Sequence, residues 1–287
     1  MIRSVLLALD TTAASEVAQE KAIALCQYVG ERSGADVCPV QLTAVAVTDT
    51  EDIKRPMAVS IGGGAYKVER DEFLVEDARR KVAEILKRFE ARCREAGIRA
   101  TTVPGEGCPF RQIEQAARKH DLIMIGRDTN FHFETRERST DTLKRIVRDH
   151  PRPIIVTPSE DLGGRSIAIA YDGSLQGSRA LHLWILLGLR RPETEIHVVS
   201  VDRRQAEARR LCGEALTLLH HHGISAKAHP VASTHGAVSA LQEQLPALEP
   251  RLVVMGAFGT GGLRERFFGA TTNWMIKHCP YPLFLHQ

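Results

Sequence analysis

The sequence lacks the marks of a membrane or secreted protein. It has no uninterrupted apolar segment of about 18 residues, the length a membrane-spanning helix needs. Its N-terminus does not show the charged and apolar pattern of a signal peptide. The six cysteines form no C-x-x-C pair, so neither a zinc site nor a disulfide framework is indicated. We therefore expect a cytoplasmic protein with reduced thiols and no membrane contact.

The sequence also lacks an excess of charge of either sign. The 38 Lys and Arg residues nearly balance the 35 Asp and Glu residues, leaving a formal net charge of +3, and the basic residues are spread along predicted helices. This distribution gives no reason to expect a nucleic-acid partner. A hydrophobic content of 43% with 25% charged residues is typical of a globular protein. A length of 287 residues favours two domains.

Sequence signatures of common catalytic sites are absent as well. No Walker lysine, G-x-S-x-G elbow or H-E-x-x-H motif occurs. The S-G-G-x-D-S loop expected of a nucleotide-consuming transferase is also missing after the first strand. The run His220-His221-His222 precedes Gly223 and is interpreted as a helix C-terminus rather than a metal site. We therefore predict no catalytic residue and no metal held by protein ligands.

What the sequence does contain is an internal duplication. Two strand-like runs end in Asp10 and Asp172, and two later runs end in Gly126 and Gly256. The paired segments are 4–10 with 166–172, 122–126 with 252–256, and 151–153 with 280–282. The first copy carries about thirty extra residues between its aspartate and its glycine, which is within ordinary loop variation. The sequence predicts tandem domains over residues 1–158 and 164–287.

Each copy alternates apolar strand patterns with amphipathic helix patterns. Such alternation predicts βαβ units and an α/β fold with a parallel sheet covered by helices on both faces. We predict five strands per domain in the flavodoxin-like or Rossmann-like order 3-2-1-4-5. Ligands of such sheets bind beyond the carboxyl ends of the strands, where the strand order reverses. Asp172 and the loop after Gly256 are expected there.

Three glycines follow the apolar run 252–255. Gly256, Gly259 and Gly269 form a G-x2-G-x9-G frame, and a helix is predicted to begin near Thr271. Glycine tolerates positive φ and lets an anion approach the backbone, while a helix N-terminus attracts negative charge. The frame therefore predicts a phosphate cradle, although turn residues alone would give a similar pattern.

These residues carry a family resemblance. The start Tyr171-Asp172-Gly173-Ser174, the glycine frame and the closing Cys279-Pro280-Tyr281-Pro282-Leu283 resemble a universal stress protein domain. The resemblance extends in tandem to the first copy. It implies an adenosine pocket lined by Asp172 and Val201, and a phosphate site that binds ATP, with Mg²⁺ on the phosphates rather than on protein ligands. The nucleotide-binding positions that it implies are Asp172, Val201, Met255, Gly256, Gly259, Gly269, Ala270 and Thr271.

One position of this site departs from the family pattern. Ala270 stands where the family has Ser or Thr, so a hydroxyl is missing, while the backbone N–H remains and Thr271 offers a neighbouring hydroxyl. Arg264 and Arg266 lie between the second and third glycines. They are candidate phosphate contacts, since arginine binds phosphate bidentately, or solvated loop charges, and the sequence leaves both open.

The first copy departs much further and predicts a degenerate site. Asp10 and Val47 keep the pocket positions and Gly126 keeps the first glycine. Thr129 replaces the second glycine, and Thr140 and Asp141 replace the final pair. Threonine restricts φ, and a carboxylate beside a phosphate is repulsive.

The leading hypothesis is a stress-response sensor or regulator that binds ATP or a related adenine nucleotide in its C-terminal domain, with at most slow hydrolysis. The alternative is a nucleotide-free scaffold for a protein partner or an apolar small molecule. The short last strands of the two copies would be sheet edges that need cover. Their pairing would give an intrachain pseudo-dimer, as the resemblance also implies, and the sequence leaves homodimerisation open.

Overall fold

The structure is a computed structural model that describes residues 1–34, 38–58, 60, 63–131, 141–257 and 269–287. The chain divides into two compact units. The N-terminal unit comprises Arg3–Ile146, and the C-terminal unit comprises Val147–Gln287 together with Met1–Ile2. The repeat boundaries 1–158 and 164–287 stay a prediction.

The N-terminal unit contains an all-parallel sheet in the order β3-β2-β1-β4. This order agrees with the first four strands of the predicted topology. The last helix, α5, continues across the division between the units. The elements are β1 (Ser4–Ala8), α1 (Ala13–Ser33), β2 (Gln41–Thr48), α2 (Thr50–Ile53), α3 (Gly64–Glu95), β3 (Ala100–Glu106), α4 (Pro109–Ala117), β4 (Leu122–Gly126) and α5 (Asp141–Asp149).

The C-terminal unit contains the strand order β5-β10-β9-β6-β7-β8. Its β6 to β10 are parallel and reproduce the predicted order 3-2-1-4-5. The α/β fold predicted from the alternation is thereby confirmed. The elements are β5 (Ile154–Thr157), β6 (Ser166–Ala170), α6 (Leu175–Leu187), β7 (Glu195–Asp202), α7 (Gln205–His221), β8 (Lys227–Ala232), α8 (Ala237–Leu248), β9 (Pro250–Gly256), α9 (Ala270–His278) and β10 (Leu283–His286).

The last strands of the two copies pair with each other. β5 and β10 are antiparallel, with Phe284 opposite Ile155 at the centre of the pair. All the residues of β5 are buried, as is the apolar part of β10. The predicted pairing of these two edges is confirmed, and it satisfies backbone groups that an open edge would expose.

Local signals explain where several helices begin and end. Thr12 caps α1, since its side chain accepts a hydrogen bond from the Ser15 N–H, and Ser174 caps α6 in the same way through the Gly177 N–H. After the histidine run of α7, Gly223 adopts a φ of 64° and donates to the His220 carbonyl. The interpretation of this run as a helix C-terminus is confirmed.

In helix α3, the spacing of the apolar residues determines which face of the helix is buried. Its apolar residues recur at helical spacing and form one buried face, while its charged residues face solvent or pair with one another. Within the described ranges, no helix combines the length and the apolar character that crossing a membrane would require.

Candidate functional site

The strand register of the C-terminal unit brings three predicted site positions to one edge of the sheet. Ala170 at the end of β6 lies opposite Val199 in β7 and Met255 in β9. Because all three strands are parallel, their carboxyl ends meet at the same edge. Asp172, Val201 and Gly256 therefore lie together where the strand order reverses.

Asp172 is held in place by the first turn of α6. Its Oδ1 accepts hydrogen bonds from the Ser174 N–H at 3.0 Å and from the Ser174 hydroxyl at 2.6 Å. The same hydroxyl accepts from the Gly177 N–H at 3.0 Å. The Asp172 residue is exposed, and no described residue donates to its second carboxylate oxygen. This oxygen is thus oriented and accessible to a ligand.

Gly177 is a site position that the sequence analysis missed. A Cβ on this residue would lie 2.7 Å from Oδ1 of Asp172. Only glycine therefore lets the carboxylate sit against the helix. The sequence carries no signal for this role, because an N-cap serine accepts a hydrogen bond from the N–H of almost any residue three positions later.

Gly256 makes a close contact that the sequence analysis did not predict, while its predicted place in a phosphate cradle stays a prediction. Its φ lies outside the left-handed region, so positive φ is not the reason for glycine here. A Cβ would instead lie 2.6 Å from the backbone nitrogen of Gly177 and 2.8 Å from the carbonyl carbon of Gln176. Glycine allows the end of β9 to pack directly on the first turn of α6. Glycine is needed at position 256 because the backbone of α6 lies so close that a Cβ would clash with it.

The N-terminus of α9 follows the glycine frame. The helix begins at Ala270, one residue before the predicted start, and Gly269 precedes it with a φ of −55°. No described side chain caps this end, whereas the Gly269 carbonyl accepts from the Asn273 N–H at 3.0 Å. The first amide groups of the helix, including that of Thr271, carry the partial positive charge that favours an anion. Gly259, Arg264 and Arg266 lie outside the described residues.

In the N-terminal unit, both carboxylate oxygens of the equivalent aspartate accept hydrogen bonds from other residues of the chain. Asp10 is only 5% exposed. Its Oδ1 accepts from the Thr12 N–H and hydroxyl, and its Oδ2 accepts from the Asn130 N–H at 2.9 Å. Burial raises the pKa of Asp10, while these hydrogen bonds oppose the rise. The chain after β4 thus takes the position that a ligand would need.

Two further positions of the N-terminal site are also buried. Val47 is fully buried in β2, and Thr129 is 1% exposed with its N–H donating to the Gly126 carbonyl at 3.2 Å. A Cβ on Gly126 would lie 2.6 Å from the Ser15 nitrogen, so this glycine also permits a strand to pack on a helix. α5 begins at Asp141. Thr140 lies outside the described residues.

No titratable cluster of the described residues is arranged for a metal. The part of the chain that the structure describes contains no group of three or more His, Cys, Asp or Glu side chains around a common point. The closest histidine contact is between His197 Nδ1 and His229 Nε2, at 3.0 Å, and it joins β7 to β8.

Comparison with known proteins finds chains of similar sequence and architecture. No protein-family model matches the chain. Universal stress protein Slr1230 of Synechocystis is 24% identical over 193 residues, which are 66% of this chain and 66% of that protein. A universal stress protein of Archaeoglobus fulgidus superposes with a TM-score of 0.64 at 18% identity, covering 100% of this chain and 99% of that one.

A second solved structure has the same architecture. The functionally unknown protein PA1789 of Pseudomonas aeruginosa superposes with a TM-score of 0.57 at 17% identity, covering 99% of this chain and 92% of that one. Likenesses at this identity establish the fold. Together with the curated relative, they confirm the resemblance inferred from the motifs: the chain is similar to universal stress proteins in sequence and in its two-unit fold.

Proposed function

We propose that the C-terminal unit binds ATP or a related adenine nucleotide and that the protein acts as a stress-response sensor or regulator. The observation that carries the proposal is the carboxylate of Asp172. One of its oxygens is fixed by Ser174, while the residue as a whole is exposed at the carboxyl edge of the sheet. A carboxylate in this position accepts hydrogen bonds from the hydroxyl or amino groups of a nucleoside.

The phosphates would lie at the N-terminus of α9. No side chain of the described residues caps its backbone amides, and the helix dipole favours an anion at this end. Ala270 contributes an N–H but no hydroxyl, so the backbone and Thr271 supply the contacts. Mg²⁺ would bind to the phosphates, as the resemblance implies, and would neutralise part of their charge.

Regulation would follow from a shift between conformers. A nucleotide that binds one conformer of the C-terminal unit more tightly than another changes the populations of the two conformers by that difference in affinity. No catalytic group is needed for such a switch, and slow hydrolysis would only reset it.

The N-terminal unit is not expected to bind a nucleotide in the same way. The buried Asp10 already accepts hydrogen bonds at both oxygens. A ligand would have to displace the Asn130 N–H and the buried Phe131 that follows it. We therefore propose one nucleotide per chain.

Calorimetric titration of Asp172→Asn with ATP and Mg²⁺ tests this proposal. The variant loses the negative charge of the acceptor, and a charge-assisted hydrogen bond contributes about 1.5–3 kcal/mol, so we expect Kd to rise at least tenfold. Asp161→Asn is the matched control because this exposed residue precedes the amino end of β6, at the opposite edge of the sheet. Its Kd should equal that of the wild type.

Two results would contradict the proposal. Equal affinities of wild type and Asp172→Asn would remove Asp172 from the site. An absence of binding of ATP, ADP and AMP by the wild type, with no nucleotide after purification, would favour the scaffold hypothesis, to which Ala270 already lends weight.

A further inference from the structure

Three of the six cysteines lie near one another in the N-terminal unit. Cys26 is in the second half of α1, Cys93 is near the end of α3, and Cys38 is in the connection between α1 and β2. The helices of a βαβ unit end where the next strand begins, so these cysteines lie toward the amino edge of the sheet. Asp10 follows β1 at the opposite, carboxyl edge.

Cys26 and Cys38 form the closest pair. The Cys38 thiol donates to the backbone carbonyl of Cys26, with an Sγ–O distance of 3.0 Å. This oxygen is two bonds from the Cys26 Cα, so the Cys38 sulfur lies within about 5.5 Å of that Cα. The Cys26 thiol is in turn hydrogen-bonded to the Cys38 sulfur. Rotation of the two side chains can therefore bring the sulfurs toward the bonding distance of a disulfide.

The packing of Cys38 on α1 maintains this proximity. Gly30 lies one helical turn after Cys26 and therefore on the same face of α1. A Cβ on Gly30 would lie 3.5 Å from the Cβ of Cys38 and 3.8 Å from its sulfur. Cys38 is thus in contact with the helix surface beside Cys26. No described contact joins Cys38 to Cys93.

The three cysteines differ in exposure. Cys26 and Cys93 are buried, whereas Cys38 is partly exposed. Burial, with a smaller contribution from the neighbouring thiols, raises the pKa of Cys26 to about 12, and burial raises that of Cys93 to about 11. A buried, protonated thiol reacts slowly with a dissolved oxidant. Cys38 is therefore the thiol of this group that an oxidant can reach.

We propose that Cys38 and Cys26 form an oxidation site that reacts with a hydroperoxide and closes to an intrachain disulfide. The Cys38 thiolate attacks one oxygen of hydrogen peroxide, the O–O bond breaks, and the leaving hydroxide takes a proton to form water. The Cys26 thiol then loses its proton and attacks the sulfur of the Cys38 sulfenic acid, which releases its hydroxyl as a second water. Two thiols are oxidised to one disulfide, and the peroxide is reduced to two waters.

The second step should be the slower one, because the Cys26 thiol is buried and protonated. The sulfenic acid of Cys38 should therefore precede the disulfide, and dimedone should trap it there. Once the disulfide has formed, Cys38 is protected from further oxidation to the irreversible sulfinic acid. A thiol reductant then restores both cysteines.

The test is treatment of the reduced, full-length protein with hydrogen peroxide, followed by blocking of free thiols and tryptic peptide mapping without reductant. Cleavage after Arg32 separates Cys26, in residues 22–32, from Cys38, in residues 33–54. We expect these two peptides to be joined by a disulfide. A disulfide from Cys38 to another cysteine or to a second chain would overturn the proposal.

Cys108 provides an internal control, because it is the other partly exposed cysteine. It should be oxidised without forming an intrachain disulfide. Oxidation of Cys108 with no disulfide between Cys26 and Cys38 would also overturn the proposal. Both results come from the wild type, so they do not depend on the folding of a variant.

Cys26→Ala tests the partner directly. In excess peroxide its Cys38 should proceed to the sulfinic acid, so dithiothreitol should recover about tenfold less Cys38 thiol than in the wild type. Cys93→Ala, which also removes a buried thiol, should behave as the wild type. Equal recovery of Cys38 in Cys26→Ala and the wild type would remove Cys26 from the site.

The oxidation site does not depend on the proposed nucleotide site. Cys38→Ala should lose the disulfide and keep the wild-type affinity for ATP, whereas Asp172→Asn should keep the disulfide. Failure of ATP to bind would leave the cysteine pair standing, and absence of the disulfide would leave the proposed function untouched.

Discussion

Replacing Gly256 by alanine is expected to destabilise the protein by about 1–3 kcal/mol, the usual cost of forcing extra atoms into a packed site. The added Cβ would lie 2.6 Å from the Gly177 nitrogen and 2.8 Å from the Gln176 carbonyl carbon. Both are backbone atoms of a helix, which cannot rotate away as a side chain would. The end of β9 and the first turn of α6 must therefore separate.

The measurement is the free energy of unfolding in urea for Gly256→Ala and for the control Gly213→Ala. Gly213 lies within α7, and a Cβ added there would have no neighbouring atom within 4 Å, so alanine should stabilise by about 0.5–1 kcal/mol. Gly126→Ala should resemble Gly256→Ala, because its Cβ would meet the Ala14 carbonyl carbon and the Ser15 nitrogen at 2.6 Å. An unchanged stability of Gly256→Ala would contradict the close packing.

Acidification below pH 6.5 is expected to lower the free energy of unfolding through the histidine pair of β7 and β8. Burial lowers the pKa of both His197 and His229, and the proximity of the two rings lowers that of His197 further. Lys227 adds to the lowering on both rings, while Glu195, 3.5 Å from Nε2 of His197, opposes it. The unfolded chain therefore binds more protons than the folded chain just below pH 6.5, and stability falls as the pH falls.

The double variant His197→Val/His229→Val tests this dependence. Because both histidines are replaced, neither ring is left buried without its hydrogen-bond partner. Valine is favoured in β-strands, so we expect the double variant to fold. Between pH 7.5 and 5 the urea midpoint of the double variant should fall less than that of the wild type, whereas the exposed control His235→Gln should follow the wild type. His286, with a pKa of about 4, contributes to the fall in all of these proteins. Parallel curves for the double variant and the wild type would refute the role of the pair.

The architecture could be predicted because it depends on patterns that repeat. Apolar runs ending in Asp10 and Asp172 mark first strands, and those ending in Gly126 and Gly256 mark fourth strands. Helical spacing between them fixes the βαβ alternation and hence the strand order of the C-terminal unit. The pairing of β5 with β10 followed from the need to cover two apolar edges.

The details of the site could be predicted only in part. The sequence analysis placed Asp172, Val201 and Gly256 at one edge of the sheet. It explained Gly256 by positive φ and by the approach of an anion, and it did not predict the steric contact with α6 that excludes a Cβ there. It also kept Asp10 as a pocket residue, because a sequence does not reveal that the Asn130 amide occupies the carboxylate. Gly177 was missed for the same reason, since its role is set by the distance to another side chain.

The most direct test of the proposed nucleotide site is hydrogen exchange of the backbone amides with and without saturating ATP and Mg²⁺. Ligand binding slows exchange where it stabilises local structure. The account predicts protection in residues 171–175, 200–203 and 269–271, with none in residues 9–13 and 126–131. Protection in the second group, or in neither, would contradict the assignment of a single nucleotide site to the C-terminal unit.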